Sequence, residues 1–251
     1  MDTQATTPEC ERIHVGCSGW HYQHWRGPFY PSTLAPGRWL DYYSRAFDTV
    51  ELNASFYRMP RETTVGHWCD VVPPGFLFAV KGSRIVTHVM RLKSAGEAAA
   101  ALCERASGLG PHFGPVLWQL PPSLQRDDAR LETFVLSLPG SARHVIEFRH
   151  HSWWHPDVYS LLARHRVAVC LVDMPDFRSP ALATADFIYV RFHGATELYG
   201  GSYETSALID WAAALRDAAG TSRSVYAYFN NDSDANAVRN ALEFRRLLAS
   251  P

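Results

Sequence analysis

The chain has 251 residues, of which 47% are apolar and 20% charged. That is an ordinary globular balance, and it excludes disorder, collagen and coiled coil as readings of the whole chain. Lys and Arg number 24 and Asp and Glu 25, for a formal charge of -1, so no global field is present to hold nucleic acid or an anionic membrane, and any such contact must be a local patch.

Apolar, β-branched runs alternate with helix-like stretches along the chain. Ile13–Cys17 predicts a first strand, and 39–47 a helix with Leu40, Tyr43 and Phe47 on one face. Strand 48–53 and helix 63–72 follow, with Thr63 or Thr64 as the N-cap. Strand 76–81 leads to an alanine-rich helix over 94–107. After strand 115–120, Asp127 or Asp128 caps a helix over 127–138 with Leu131, Phe134, Val135 and Leu138 as its stripe. Strand 144–149 precedes helix 156–165, whose Pro156 suits a first turn. Strand 167–173 is followed by a crossover, 174–186, whose two prolines predict a short or missing helix. Strand 187–193, helix Thr205–Ala219, strand 224–230 and helix 233–248 close the pattern. Eight strands in 251 residues leave about 31 per unit, and a βαβ unit needs roughly 30. The expected fold is α/β, a single (β/α)8 barrel over residues 12–250, after a flexible tail over residues 1–11. An open doubly wound sheet is the competitor.

The strands turn polar at their C-terminal ends. These ends carry Glu51 and Asn53, Lys81, Gln119, Glu147 and Arg149, Asp173, Arg191 and His193, and Asn230 to Asp232; the first strand runs into Ser18, Gly19 and Trp20. Side chains alternate with period two. Glu51 therefore shares a face with Asn53, Glu147 with Arg149, and Arg191 with His193. In a closed barrel those faces converge at the C-terminal rim, where barrel enzymes keep their sites. The structural alternative is a self-satisfied Glu–Arg–Asn network that only fixes the core. The loops after the strands add Trp20, His21, Tyr22, His24 and Trp25, and later Trp153 and Trp154, which suit stacking on a sugar or a base. From Lys81 to Lys93 there is no acid, which suits a phosphate or carboxylate.

These segments resemble a known family. The patterns are SGWxYxxWxGxFYP at 18–31, VELNxSFYxxP at 50–60, FxFxVKxxRxxTH at 76–88, LWQLPPS at 117–123, EFRHxSW at 147–153, YVRFHG at 189–194 and YxYFNND at 226–232. Together they are similar to the YecE-like family, domain of unknown function 72, and they cover residues 12 to 249. The resemblance implies a TIM barrel and supplies no settled activity. Ser55 stands where the pattern more often has Thr and keeps the hydroxyl.

Three functions fit the residues. The first is hydrolysis of a glycosidic or similar bond on a polar anionic or sugar-containing substrate. Here Glu147, Glu51 and His193 are catalytic, and Trp20, Asn53, Lys81, Gln119, Arg149, Trp153, Asp173, Arg191 and Asn230 bind substrate. The second is metal-assisted phosphoester cleavage on nucleic acid, with His193, Glu51, Glu147, Asp173 and His21 or His24 as ligands; three cations on the same rim oppose it. The third is a non-catalytic barrel binding nucleic acid or a phosphate ligand. The leading reading assigns no metal ligands, and the sequence names no cofactor. The partner expected is a small polar or anionic ligand, with nucleic acid as the alternative and no membrane. No P-loop, dinucleotide fingerprint or G-x-S-x-G elbow occurs. Cys10, Cys17, Cys69, Cys103 and Cys170 are odd in number and never form C-x-x-C, against a disulfide scaffold or zinc ribbon. No apolar run approaches the roughly 20 residues that span a bilayer, and residues 1–12 lack a signal peptide's apolar region. A cytoplasmic protein is expected.

Overall fold

The structure, a computed structural model, describes residues 13–220 and 223–249; the expected tail over 1–11 lies outside them. The strands are β1 (Ile13–Cys17), β2 (Thr49–Leu52), β3 (Leu77–Lys81), β4 (Phe113–Gln119), β5 (His144–Glu147), β6 (Ala168–Met174), the two-residue β7 (Phe177–Arg178), β8 (Phe187–Phe192) and β9 (Ser224–Phe229). They form one sheet in the order β1-β9-β8-β6-β5-β4-β3-β2, parallel throughout except where β7 folds back on β6. Helices lie between them: α1 (Trp39–Ala46), α2 (Ala54–Tyr57), α3 (Glu62–Val71), α4 (Gly96–Ala106), α5 (Asp128–Leu136), α6 (Pro156–Arg164), α7 (Thr205–Ala219) and α8 (Asn236–Ala249). This is the expected TIM-type barrel.

The crossover after β6 has no helix. Side-chain hydroxyls satisfy the strand instead: Thr184 Oγ1 accepts from the Val169 N–H at 2.8 Å and donates to the Val167 carbonyl at 2.7 Å, and Ser179 Oγ accepts from the Val172 N–H at 3.0 Å. Asp127 caps α5 by accepting from the Arg130 N–H at 3.0 Å, as expected. Neither Thr63 nor Thr64 caps α3. That helix starts earlier, at Glu62, with Arg61 in the cap position and no side-chain cap. Two short turns at the rim were invisible to periodicity, α2 and a π-type turn at Ile85–Val89, because four or five residues are too few to show a helical repeat.

Two apolar layers hold the barrel. One packs its outer face against the helices. The other fills its lower interior with Ala79, Leu117, Val145, Cys170, Val172, Tyr189, Tyr226 and Tyr228. Extending that inner alternation upward along β3, β4, β5, β8 and β9 lands on Lys81, Gln119, Glu147, Arg191 and Asn230, and along β6 on Met174. The polar rim is thus the continuation of the packed core.

No ladder joins β1 to β2; side chains close that seam. At the bottom His14 Nδ1 meets Asp48 Oδ2 at 2.8 Å. In the middle the Tyr43 hydroxyl accepts from the Cys17 N–H at 2.8 Å and donates to the Thr49 carbonyl at 3.1 Å. At the top Ser18 Oγ donates to Glu51 Oε1. Gly16 permits the approach, because a Cβ there would stand 2.2 Å from the Thr49 carbonyl oxygen. Tyr43→Phe is expected to leave a buried N–H and C=O unmatched and to lower stability by about 1–3 kcal/mol, read as a lower urea midpoint at unchanged slope.

Candidate active site at the C-terminal rim

The centre of the site is Arg191, fully buried near the end of β8. Its Nη1 donates to Glu147 Oε2 at 2.7 Å, and its Nη2 donates to Glu51 Oε1 at 2.6 Å and to Ser18 Oγ at 3.0 Å. One guanidinium therefore bridges both glutamates across the barrel. Each carboxylate is further saturated. Glu51 Oε2 accepts from the Tyr189 hydroxyl at 2.7 Å. Glu147 accepts from Gln119 Nε2 at 3.0 Å and from Arg149 Nε at 2.5 Å.

Burial pushes both carboxyl pKa values up, but the neighbouring cations win. Arg191 and Lys81, helped by the Ser18 and Tyr189 hydroxyls, hold Glu51 below the usual carboxylate range. Arg149 and Arg191, helped by contact with His193, hold Glu147 well below it. Glycosidic hydrolysis by a carboxyl pair needs one member kept protonated as the general acid, and this environment does not supply it: both glutamates are held as anions.

His193 is fully buried just past β8. Its Nε2 lies 3.1 Å from Glu147 Oε1 and its Nδ1 3.2 Å from Asn230 Nδ2. The same Nε2 lies 3.0 Å from Arg149 Nη2, so this nitrogen stands between a donor and an acceptor. Burial, then Arg191, pushes its pKa down to about 3, so it is neutral at physiological pH. Tyr199 sets its ring edge-on, 5.9 Å away.

Lys81 is different. Its Nζ lies 4.6 Å over the Phe56 ring and has no hydrogen bond or ion pair among the described residues. Burial and the nearby Arg191 bring its pKa down to about 8, against an opposing pull from Glu51 and Glu147. Ser55 Oγ, 2.7 Å from the Lys81 carbonyl and 2.8 Å from that of Leu52, ties the tips of β2 and β3. Arg149 stands over Glu147 with 11% of its side chain exposed, and its Nη2 is 3.0 Å from His193. The mouth thus gathers three cations, Lys81, Arg149 and Arg191, around two carboxylates.

Asn53 donates from Nδ2 to the Ser18 carbonyl and to Ser18 Oγ, both at 3.0 Å. A carbonyl can only accept, which fixes the amide orientation. Its Oδ1 is buried without a partner. Trp20 lies on the wall of an adjoining cleft, edge-on to Trp68. Two residues expected at the site stand apart from it. Trp153 is fully buried, stacked on Phe148 and donating to the Leu124 carbonyl at 2.7 Å, so it anchors its loop. Asp173 accepts from Tyr203 at 3.1 Å and from Trp211 Nε1 of α7 at 2.5 Å, outside the barrel. Cys170 and Val172 face inward, so period two sends Asp173 outward. Tyr189 was missed, although it shares the inner face with Arg191 two residues on; Phe56 and Trp68 had no local signal.

Among the described residues, no group of three or more His, Cys, Asp and Glu side chains is placed to hold a metal ion. The His193–Glu147 pair is the nearest approach to a donor set, and the Arg149 guanidinium already occupies the position between them that a cation would take. His24 faces Asp232 and His21 lies against Trp39, away from that pair. The four described cysteines are free. No helix among the described residues is long and apolar enough to cross a membrane.

Fold and site together define a (β/α)8 barrel protein with a charged C-terminal rim. The chain belongs to the family described as protein of unknown function DUF72, whose model matches residues 14–251. It is 24% identical to the UPF0759 protein YunF of Bacillus subtilis, over 94% of each chain. It is 28% identical to the UPF0759 protein YecE of Escherichia coli K12, over 55% of this chain and 48% of that one. A DUF72 family protein from Thermotoga maritima superposes with a TM-score of 0.87 at 29% identity, covering 95% of this chain and 99% of the other. One from Enterococcus faecalis does so with a TM-score of 0.79 at 21% identity, covering 95% and 96%, and speaks to the fold alone.

Proposed function

We propose that this protein is a hydrolase-type enzyme that takes a small, polar, anionic substrate, such as a phosphorylated sugar, at the C-terminal rim. One observation carries the reading: Lys81 brings an ammonium with no hydrogen bond or ion pair among the described residues to a mouth where cations outnumber carboxylates. In this proposal Lys81 and Arg149 hold the anionic group. Asn53, Gln119 and Asn230 orient the polar remainder. Glu51 and Glu147 keep Arg191 and Arg149 in place, and neutral His193 packs against both Arg149 and Glu147. Lys81, with a pKa near 8, is the group suited to move a proton near neutral pH. Free cysteines support a reducing, cytoplasmic setting.

The test is calorimetric titration with glucose 6-phosphate, inorganic phosphate and glucose. The two phosphates are expected to bind and glucose to bind at least tenfold more weakly, with Lys81→Met and Arg149→Gln each reducing phosphate binding at least tenfold. Equal affinity for glucose, or unchanged binding in Lys81→Met, sinks the reading. The saturated network favours a second reading, a barrel that binds and does not catalyse. Binding with no phosphate release, at any pH across the Lys81 titration, would select it.

A further inference from the structure

Beside the mouth lies a cleft of about 460 Å³ whose lining, Asn53 apart, has no role above. Its volume falls in the range of small-molecule pockets and exceeds what a lone anion needs. Trp20 and Trp68 form one corner, with ring centroids 5.2 Å apart and planes at 86°. Leu40, Leu52 and Ala54 add apolar wall, and Asn53 is its polar link to the mouth.

We propose that this cleft is a subsite for a flat aromatic ring carried by the same ligand whose anionic group sits at Lys81 and Arg149. The inference rests on the function proposed above. A right-angled pair of indoles accepts a planar ring face-on to one and edge-on to the other, the two arrangements aromatic pairs favour. Such a corner offers a flat ring two contacts where a sugar would use one. Asn53 sets the geometry of the whole ligand. It lines the cleft, and its amide donates to Ser18 Oγ, which also accepts from Arg191. Asn53 and Ala54 of the cleft run directly into Ser55, whose hydroxyl bonds the Lys81 carbonyl at 2.7 Å, and Phe56, whose ring lies 4.6 Å from Lys81 Nζ, so cleft and ammonium flank the same short turn and a ring bearing its phosphate or carboxylate through a short link is suited to span both.

The experiment compares 1-naphthyl phosphate, 1-naphthol and inorganic phosphate on the intact protein by calorimetry. Wild type is expected to bind 1-naphthyl phosphate at least tenfold more tightly than inorganic phosphate. Ala54→Trp fills the cleft from an exposed position on α2, and is expected to bring that ratio to about one; Trp68→Leu, which removes one wall, should lower it severalfold. If inorganic phosphate binds and the naphthyl ester binds no better, or the advantage survives in Ala54→Trp, the ring subsite is wrong while the anion site stands. If 1-naphthol binds and Ala54→Trp abolishes it while inorganic phosphate does not bind, the cleft is right and the anion site wrong. If no probe binds, both fall.

Discussion

Arg191→Met is expected to destabilise the barrel by about 3–5 kcal/mol at pH 7, the usual result of removing one partner from a buried ion network. Among the described residues the guanidinium is the single group that touches both Glu51 and Glu147, and methionine would leave two carboxylates buried without it. Urea unfolding at pH 7 measures the loss. Glu51→Gln and Glu147→Gln added to Arg191→Met should recover much of it, because the uncompensated charge is then gone. The pH dependence should change sign. In wild type both folded-state pKa values lie below the ordinary 4.5. Their contribution is full above pH 4.5 and is lost as pH falls through the lower folded values. In Arg191→Met burial would raise them, so the variant should gain stability as pH drops from 7 toward 5. A loss under about 1 kcal/mol, or a variant no better at pH 5 than at pH 7, would show that the bridge does not hold the barrel mouth together.

Lys81→Met is expected to act in the opposite direction and stabilise the fold. The folded-state pKa falls from 10.5 to about 8. Below pH 8 the lysine is charged in both states, and the folded state carries the penalty. Between pH 8 and 10.5 the unfolded chain binds the proton and the folded chain does not, so wild type gains stability as pH rises. A displacement of that size is worth about 3 kcal/mol, and solvent screening at a partly exposed rim reduces it to about 1–3. The variant should therefore be more stable than wild type at pH 7 by that amount, with the gap closing by pH 10.5. Comparing the two proteins cancels the buried tyrosines that also titrate in alkali. Stability given up at a residue proposed to hold the ligand is what a functional group would show. Equal midpoints at pH 7 would mark Lys81 as an ordinary surface lysine.

Much of the candidate site was legible before folding. Period-two alternation brought Glu51, Lys81, Glu147, Arg191 and His193 to one rim, since every strand that lines a barrel points alternate residues at the axis. The same rule, applied from Cys170 and Val172, would have turned Asp173 away and brought Tyr189 in. Aromatic composition alone misread Trp153, because a tryptophan in a loop can fill the core as readily as face a ligand.

What the sequence by itself determined is the architecture and the cast: eight strands of barrel length, a helixless sixth crossover marked by its prolines, and a ring of ionisable strand tips. Only the tertiary structure decided their partners. Arg191 takes both glutamates, Arg149 touches both Glu147 and His193, Tyr43 and Ser18 stitch a seam that has no ladder, and Lys81 is left over. The physical reason is range. Alternation and capping are written within a few neighbouring residues, whereas a pKa or an ion pair depends on groups brought from strands as far apart as Glu51 and Arg191, 140 positions along the chain.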